Sequence, residues 1–511
     1  MNYDAIIIGA GLGGLTAAAK LAKSGKKILL LEQHSIPGGC ATTFKRKGFT
    51  IEVGLHELDG FGDNDLKSQI FKEFNVFDNL DFIRLPEFYR TVWKNNEFVF
   101  PEGLEQAKAK LIKEFPHEEQ GILNYFNFIT RLGTEISLLP RSKWAKIIKG
   151  ALFPVFFPKL VKSTRTTVGD FIDETIKDEH LKLVLLSNLT YYDDDPYNLG
   201  LFYFAAGQSS YYTSGSYFIK GGSQKLSDYL MKFIIQNGGE VKLRSKVNKI
   251  VTKNGKAIGV EYSHKQNKTA EATNEFAYAD VIIANTAIPN LTSGLLPDKE
   301  SEILNNQIKG LKGGPSILTL YLGFKSKLSE IGNKHYSTFV IDDTVQSVKD
   351  MHKNAHADFD KRSFVFVDYG IIDSALAPDG KSVGVLCTMD YYDDWVQLDK
   401  ENYKEKKEIV KNTLINRLEK LLPGIKEQIE YSELATSKTI ERYTLNPKGS
   451  PYGYAQSLNQ TARNRLKQKS IIPGLYYASA WSSPGGGFTG AIYSGYLCAL
   501  AVLKDFKTQK R

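Results

Sequence analysis

Three glycines near the N-terminus of this 511-residue chain have a spacing that can bind a dinucleotide. Gly9, Gly11 and Gly14 form a G-x-G-x-x-G motif, and Glu32 follows them. In this motif the first glycine allows a tight turn, the second lets a pyrophosphate approach the backbone, and the third lets a helix pack closely on a strand. An acidic residue about 20 positions further on accepts hydrogen bonds from a ribose. The pattern therefore predicts a dinucleotide site.

A strand, a helix and a second strand must hold these residues in place, and the sequence predicts all three. Residues 5–8 are an apolar run that is typical of a buried parallel strand. Residues 15–23 predict a helix that ends at a Ser-Gly pair, and residues 27–31 predict a second buried strand that leads into Glu32. This β-α-β context distinguishes a dinucleotide motif from an ordinary glycine-rich turn.

Further glycine-rich stretches follow along the chain. A paired-glycine loop lies at residues 38–40, a Lys-Gly-Gly-Ser stretch at 220–223 precedes a predicted helix, and a Pro-Gly-Gly-Gly-Phe stretch occupies 484–488. Together these segments resemble the phytoene desaturase, carotenoid isomerase and retinol saturase family of FAD-dependent oxidoreductases, within the amine-oxidase-like superfamily. Residues 38–56, which include a Gly-Gly-Cys sequence, are most similar to the retinol saturases.

The resemblance implies an α/β fold in which a Rossmann-type FAD-binding domain, discontinuous in sequence, is joined to an α+β substrate-binding domain. We expect residues 1–90, 215–295 and 445–511 to form the FAD-binding domain. Residues 91–214 and 296–444 would form the substrate-binding and membrane-facing domain.

The cofactor that the resemblance implies is FAD. The residues expected to contact it lie on the two N-terminal glycine loops, at the end of the second strand, on the strand that returns to the FAD domain, or on the C-terminal glycine loop. They are Gly9, Gly11, Gly14, Glu32, Gly38, Gly39, Cys40, Val247, Gly486, Gly487 and Phe488.

Three histidines could take part in chemistry. His56 lies in a segment that the family places close to the flavin, where its imidazole could donate a proton to a substrate carbon while the flavin passes hydride. His352 and His356 have the i, i+4 spacing of helical metal ligands. The sequence shows no third ligand that converges on them, so a solvated helix is the better interpretation and no metal is expected.

Aromatic and basic segments indicate an oily substrate and a membrane surface. Eight Tyr and Phe residues between 197 and 218 could line a tunnel that suits a polyene, although core packing explains part of them equally well. Residues 141–165 carry seven basic side chains and no acidic one, interleaved with apolar residues. This composition favours contact with a membrane interface over an ordinary helix packed on the core. No motif of a nucleic-acid-binding module is present.

The composition is that of an ordinary globular protein, with 42% hydrophobic and 24% charged residues and a formal net charge of +9. These values exclude a disordered chain. Three cysteines exclude a disulfide framework and suggest a reducing compartment. We see neither a signal peptide nor an uninterrupted apolar stretch of about 18 residues. We therefore expect a cytoplasmic protein that is peripherally associated with a membrane.

These features predict an FAD-dependent oxidoreductase of the CH–CH class that acts on carbon–carbon double bonds of a polyene or isoprenoid lipid. Residues 38–56 favour a saturase, and Ala480 with the glycine loop after it favours a desaturase. A redox-neutral cis–trans isomerase that uses reduced FAD is one alternative. A non-catalytic lipid carrier on the same fold, similar to the prenyl-binding dissociation inhibitors of small GTPases, is another. The sequence does not identify the electron donor or acceptor.

Overall fold

The computed structural model describes residues 2–63, 65–139 and 153–509. Within these ranges the chain forms two seven-stranded sheets, a two-stranded sheet and a three-stranded sheet, with helices packed around them. The expected α/β fold class is therefore confirmed.

The first sheet carries the N-terminal glycine motif. At its centre Ile6 lies opposite both Leu29 and Ile282 in parallel pairing, and all three side chains are fully buried. Parallel strands covered on both faces are apolar throughout, which explains the continuous apolar runs in the sequence. The strands lie in the order Glu240–Lys242, Ile28–Leu31, Asn2–Ile8, Thr273–Ala284, Lys256–His264 and Ser245–Lys253, and Leu475–Tyr477 also pairs with Thr273–Ala284.

The long strand Thr273–Ala284 joins distant parts of the chain. Its first half pairs antiparallel with Lys256–His264, and its second half pairs parallel with Asn2–Ile8 and Leu475–Tyr477. Residues from the start, the middle and the end of the sequence therefore complete one sheet.

Three helices pack together beside this sheet. The helix Leu12–Lys23 contacts both Gln224–Gln236 and Gly487–Gln509. Within the described ranges one helix, Gly487–Thr508, is long and apolar enough to cross a membrane, with a mean hydropathy of 1.2. Core helices of folded domains have the same composition, so a single such helix is weak evidence for a membrane span.

The second sheet separates two apolar layers. Val365 and Val367 belong to the apolar layer that also contains residues of the first sheet and its helices. Phe364 and Phe366 pack with the helix Lys400–Leu421 on the other face. This alternation follows from the two-residue period of a strand. The strands lie in the order Ile429–Ala435, Ser316–Phe324, Ser382–Asp390, Phe364–Asp368, Ser337–Ile341, Glu87–Trp93 and Asn96–Pro101.

Two small sheets and shorter helices complete the described structure. The small sheets are formed by Thr43–Arg46 with Phe49–Glu52, and by Leu58–Asp59, Ser216–Ile219 and Phe82–Arg84. The remaining α-helices are Leu66–Glu73, Leu104–Glu114, Glu119–Ser137, Phe153–Phe156, Pro158–Ser163, Val168–Thr175, Glu179–Leu185, Leu201–Ser214, Ile288–Asn290, Asp298–Ile308, Met351–Ala355, Ile425–Gln428 and Ser437–Thr444.

The expected division of the chain into two domains stays a prediction, and one of its boundaries falls within a strand of the second sheet. The strand Glu87–Trp93 crosses the expected boundary at residue 90, and it pairs with Ser337–Ile341 in the second sheet. The second sheet therefore begins at Glu87, because the strand Glu87–Trp93 pairs with Asn96–Pro101 on one side and with Ser337–Ile341 on the other.

Candidate functional site

The turn after the first strand consists of glycines because backbone segments meet there at close range. Gly9 has a φ of +92°, in the left-handed region that favours glycine. A Cβ on Gly14 would lie 2.1 Å from the carbonyl oxygen of Gly9, and a Cβ on Gly13 would lie 1.8 Å from that of Ala478. Gly14 thus packs against the turn. Gly13, which the sequence analysis did not single out, lets the helix Leu12–Lys23 approach the C-terminal segment.

The same helix begins without a side-chain cap. Gly11 offers no acceptor to the first N–H groups, and no acidic residue lies in the first turn. The paired-glycine loop lies beside it: the N–H of Gly38 donates to the carbonyl oxygen of Ala10 at 2.7 Å, and a Cβ on Gly39 would lie 3.3 Å from the Cα of Gly11. Free N–H groups and the helix dipole favour a phosphate at this position.

The Glu32 carboxylate retains free acceptor capacity. Its Oε2 accepts a hydrogen bond from the N–H of Ala10 at 2.7 Å, and its Oε1 accepts one from the N–H of His34 at 2.8 Å. A carboxylate has about four acceptor positions, so about two remain for hydroxyl groups. The side chain is 6% exposed and lies on a cavity wall, where a ribose can reach it.

A cavity of about 1810 Å³ brings together most of the residues that the sequence singled out. Sites for drug-sized ligands span about 300–1,000 Å³, so this cavity has room for a dinucleotide and a second molecule. His56 lies on its wall, and so do ten of the expected cofactor residues, with Gly14 as the exception. The ten are Gly9, Gly11, Glu32, Gly38, Gly39, Cys40, Val247, Gly486, Gly487 and Phe488.

The C-terminal glycine loop is held by side chains that the sequence analysis did not connect with it. The hydroxyl of Tyr203 donates to the carbonyl oxygen of Gly486 at 2.9 Å. The buried guanidinium of Arg465 donates to the carbonyl oxygens of Ala480 at 2.8 Å and Ser482 at 3.3 Å. The loop is therefore fixed where it enters the C-terminal helix, and the start of that helix also lines the cavity.

His56 has protein atoms close to both ring nitrogens. Its Nδ1 lies 2.9 Å from the hydroxyl oxygen of Tyr191, and its Nε2 lies 3.4 Å from the Sγ of Cys387. Burial lowers the pKa of His56 to about 4, so the imidazole is neutral at pH 7. Its role as a proton donor stays a prediction. The geometry adds that the ring fixes the Tyr191 hydroxyl at the cavity wall.

Glu57, the next residue, carries a buried carboxyl group on the cavity wall. Neither of its oxygens makes a hydrogen bond to any residue in the described ranges, and the 9%-exposed residue lines the cavity. Burial, together with the nearby carboxyl groups of Glu102 and Asp59, raises the pKa of Glu57 well above its ordinary value. The sequence analysis gave Glu57 no role. Glutamate is seldom buried, so only the fold reveals the buried position of this residue.

A buried ion pair ties this segment to the C-terminal helix. Lys67 is fully buried, and its Nζ lies 2.8 Å from the Oδ2 of Asp59 and 3.4 Å from the hydroxyl oxygen of Thr489. The Thr489 hydroxyl in turn donates to the Oδ1 of Asp59. Although burial opposes ionisation of Asp59, the Lys67 ammonium holds the pKa of this carboxyl below its ordinary value. Asp59 and Thr489 line the cavity, and Lys67 lies behind them.

The aromatic stretch contributes to the cavity in part. The helix Leu201–Ser214 presents Phe202, Tyr203 and Tyr211 to the cavity, while Phe204 is buried in the core. Both explanations considered for this stretch, cavity lining and core packing, therefore apply to different faces of one helix.

The histidine pair at 352 and 356 has a third group beside it. Asp194, His352 and His356 place one ligand atom each within 4.8 Å of one another. The expectation that no third ligand converges on the pair is therefore wrong. Asp194 comes from a turn that is distant in sequence, so no local spacing could reveal it.

Comparison with known proteins identifies relatives over the whole chain. Residues 12–503 match the family described as flavin containing amine oxidoreductase. The chain is 28% identical to a chloroplastic prolycopene isomerase of Daucus carota, over all of this chain and 81% of that protein. It is 26% identical to an all-trans-retinol 13,14-reductase of Danio rerio, over 98% of this chain and 86% of that protein.

A solved structure shows the same fold. Cyclohexylamine oxidase from Brevibacterium oxydans superimposes with a TM-score of 0.61 at 15% identity, over 99% of this chain and 100% of that chain. The residues present here also fit FAD, since an uncapped helix start, a glycine cradle and a carboxylate with free acceptor positions line one large cavity. The expectation of FAD is confirmed. The chain belongs to the flavin containing amine oxidoreductase family, and its cofactor is FAD.

Proposed function

We propose that this protein is an FAD-dependent oxidoreductase that acts on carbon–carbon double bonds of a polyene or other isoprenoid lipid. The observation that carries the proposal is Glu57, a buried carboxyl group that has no hydrogen-bond partner among the described residues. It lies on the wall of a partly aromatic cavity that also contains the glycine motif. Such a group can hold a proton beside an apolar substrate. The names of two relatives, a prolycopene isomerase and a retinol 13,14-reductase, support the same substrate class.

Several residues would hold the cofactor. The start of the helix after Gly11 would bind the pyrophosphate, and Glu32 would bind the adenosine ribose. Val247 would contact the adenine. Gly487 and Phe488 would contact the flavin ring. Cys40 would act as a small neutral side chain, because burial raises the pKa of its thiol to about 11. When bound, FAD accepts or supplies the hydride of the reaction.

Glu57 would hold the second hydrogen of the reaction as a proton. Its raised pKa favours the neutral acid, which can donate from a carboxyl oxygen to a carbon. His56 would position Tyr191, because its Nδ1 is 2.9 Å from that hydroxyl and its ring is neutral. A proton from Glu57 and a hydride together add two hydrogens across a double bond, so saturation is the outcome that this site supports best.

The experiment that tests this function is anaerobic incubation of the photoreduced and the oxidised protein with a panel of retinoids and carotenoids, followed by mass analysis. We expect the reduced protein to give a product that has gained two hydrogens. A new retention time without a change of mass would instead establish an isomerase, the second candidate, which the prolycopene isomerase relative favours. A loss of two hydrogens with the oxidised protein would establish a desaturase. Unchanged polyenes under all conditions would overturn the proposal in favour of a carrier.

Glu32→Gln is expected to weaken FAD binding. The substitution keeps the size of the side chain but removes its charge, and a hydrogen bond to a charged group is worth about 1.5–3 kcal/mol. We therefore expect an affinity loss of about 10-fold or more, measured by fluorescence titration of the apoprotein with FAD. Glu240→Gln, on the neighbouring strand and outside the cavity, is the matched control. Equal affinities for the two variants would show that Glu32 does not contact the ribose.

We further propose that the segment 141–165 contacts a membrane surface. Residues 141–152 lie outside the described residues, and the described remainder includes Val155, which is 72% exposed. Ser137, at the end of the preceding helix, lines the cavity. The helix that precedes this segment in the sequence thus reaches the cavity wall, which supports entry of an apolar substrate from this side.

Replacing Lys143, Lys146 and Lys149 together by glutamate is expected to release the protein from anionic liposomes. Each basic residue near an anionic surface contributes about 1 kcal/mol, so losing three weakens binding by about 100-fold, before the added repulsion. Val155→Asp should also weaken binding, whereas Ile409→Asp, at a 59%-exposed apolar position on the helix Lys400–Leu421, is the control. Sedimentation with vesicles measures both. Binding that is the same in all variants would contradict membrane contact through this segment.

A further inference from the structure

Two histidines and an aspartate that the proposed reaction does not use converge away from the cavity wall. Asp194 lies in the turn after residues 187–191, His352 lies on the short helix Met351–Ala355, and His356 follows that helix. We propose that Asp194, His352 and His356 form a binding site for a divalent transition metal of the zinc class.

The distances are close to those of a three-ligand zinc site. The Oδ2 of Asp194 lies 3.3 Å from the Nε2 of His356 and 3.7 Å from the Nδ1 of His352. Ligands bound to zinc at about 2.0–2.2 Å in tetrahedral geometry are about 3.3 Å apart. The pair of Asp194 and His356 already has this separation. The two pairs that involve His352 are wider, with all three ligand atoms within 4.8 Å of one another, and rotation of the exposed His352 ring would bring its nitrogen closer.

One tyrosine holds two of the three ligands in place. The Tyr391 hydroxyl donates to the Oδ2 of Asp194, and the Tyr391 ring stacks on His356 with a centroid separation of 3.8 Å and an interplanar angle of 18°. A carboxylate oxygen has a second lone pair that can bind a metal while the first accepts this hydrogen bond. Partners of this kind, which orient the ligands from behind, are typical of functional metal sites.

The surroundings of the cluster can accept a cation. The nearest guanidinium, that of Arg362, is paired with Asp394 at 2.9 Å and donates to the carbonyl oxygen of Met389 at 3.0 Å, so its charge is largely compensated. Both histidines are about half exposed, so a metal can enter from solvent and keep water in its remaining position.

The site would join two parts of the fold. The segment that ends in Asp194 begins with Thr190 and Tyr191 on the cavity wall, and the histidine segment packs on the second sheet, where the strand Ser382–Asp390 supplies Thr388 and Met389 to the same wall. A metal here would therefore bridge two elements of the fold. It would link the helical segment that carries Tyr191 to the sheet opposite it.

The test is zinc binding by the purified, metal-free, FAD-loaded full chain. We expect one zinc per chain by elemental analysis after equilibrium dialysis, and X-ray absorption at the zinc edge with nitrogen and oxygen ligands only. His352→Ala and His356→Ala should each reduce the stoichiometry to background. Tyr391→Phe should weaken zinc affinity by about 10–100-fold, as is usual for a partner that orients a ligand. Zinc should also raise the melting temperature of the unsubstituted protein but not of the histidine variants.

His117→Ala is the matched control, because His117 is an exposed histidine that pairs with an aspartate, Asp178, at 2.9 Å but belongs to no group of three possible ligands among the described residues. Its zinc stoichiometry should be unchanged. FAD content, read from flavin absorbance, shows that each variant is folded. The proposal is overturned if the unsubstituted chain binds no zinc at micromolar concentration, or if one zinc per chain persists in both His352→Ala and His356→Ala.

Discussion

Glu57→Gln is expected to lower the rate of polyene turnover by about 100-fold to 10,000-fold, the usual contribution of a positioned proton donor. The amide is nearly the same size as the acid and leaves the cavity shape intact, but it does not supply a proton at the carboxyl position. Because Glu57 has no hydrogen-bond partner within the described ranges, its replacement breaks no contact that holds the fold. Single-turnover kinetics of the reduced protein with the active polyene measures the effect.

Two control variants show whether the loss of turnover is specific to Glu57. Glu105→Gln, at an exposed position, should leave the rate unchanged. His56→Gln should cost less than Glu57→Gln, because the neutral His56 ring is proposed to position Tyr191 rather than to donate a proton. If His56→Gln abolishes turnover and Glu57→Gln does not, His56 is the donor, as the sequence alone suggested.

The raised pKa of Glu57 also predicts a dependence of stability on pH. The stability that the neutral acid contributes is fully present below the ordinary glutamate pKa of about 4.3 and is lost as pH rises through the folded-state pKa. Glu57→Gln cannot ionise, so the unsubstituted protein should lose melting temperature relative to this variant as pH rises from acidic to alkaline. A constant difference between the two across that range would argue against a buried neutral carboxyl.

Lys67→Met is expected to destabilise the FAD domain by about 3–5 kcal/mol, because it leaves the Asp59 carboxylate buried without its counter-charge. Whole domains are stable by only about 5–15 kcal/mol, so this loss is a large fraction of the total. The ion pair also holds Thr489 at the start of the C-terminal helix, so the variant should release FAD more readily. Thermal unfolding and flavin release, followed together, measure both effects.

Two variants make the Lys67 prediction specific. Lys20→Met removes a more exposed ion pair, between the Nζ of Lys20 and Glu73 at 2.6 Å, and should cost only about 0–1 kcal/mol. Adding Asp59→Asn to Lys67→Met removes the orphaned charge and should recover part of the lost stability. A Lys67→Met protein as stable as Lys20→Met would show that the buried pair contributes no net stability.

The sequence predicted best those features that local spacing determines. The unit expected at 5–8, 15–23 and 27–31 is found as Asn2–Ile8, Leu12–Lys23 and Ile28–Leu31, because glycine turns and apolar strands leave few alternatives. The cavity position of the glycine loops followed from the same motif and from the family resemblance.

Contacts between distant segments could not be predicted in this way. Asp194 meets His356 across about 160 residues of chain, and Lys67 meets Thr489 across more than 400. Glu57 and Lys67 are buried, whereas charged residues are usually exposed. Their residue types alone would therefore have predicted positions on the protein surface. The positions of these side chains depend on tertiary packing. They are the features of the site that the glycine motif does not predict.

The pairing of Leu475–Tyr477 with the strand Thr273–Ala284 makes completion of the first sheet depend on the last part of the chain to be synthesised. A ribosome adds about 5–20 residues per second, so roughly 20–90 s separate synthesis of the N-terminal glycine motif from that of the last strand beside it. During this interval the strand Thr273–Ala284 lacks its C-terminal partner. The cavity wall includes residues 479–481 and 486–491, so the complete cavity forms only after this segment has been synthesised. We therefore expect a chain truncated before residue 475 to retain little flavin, as measured by its absorbance.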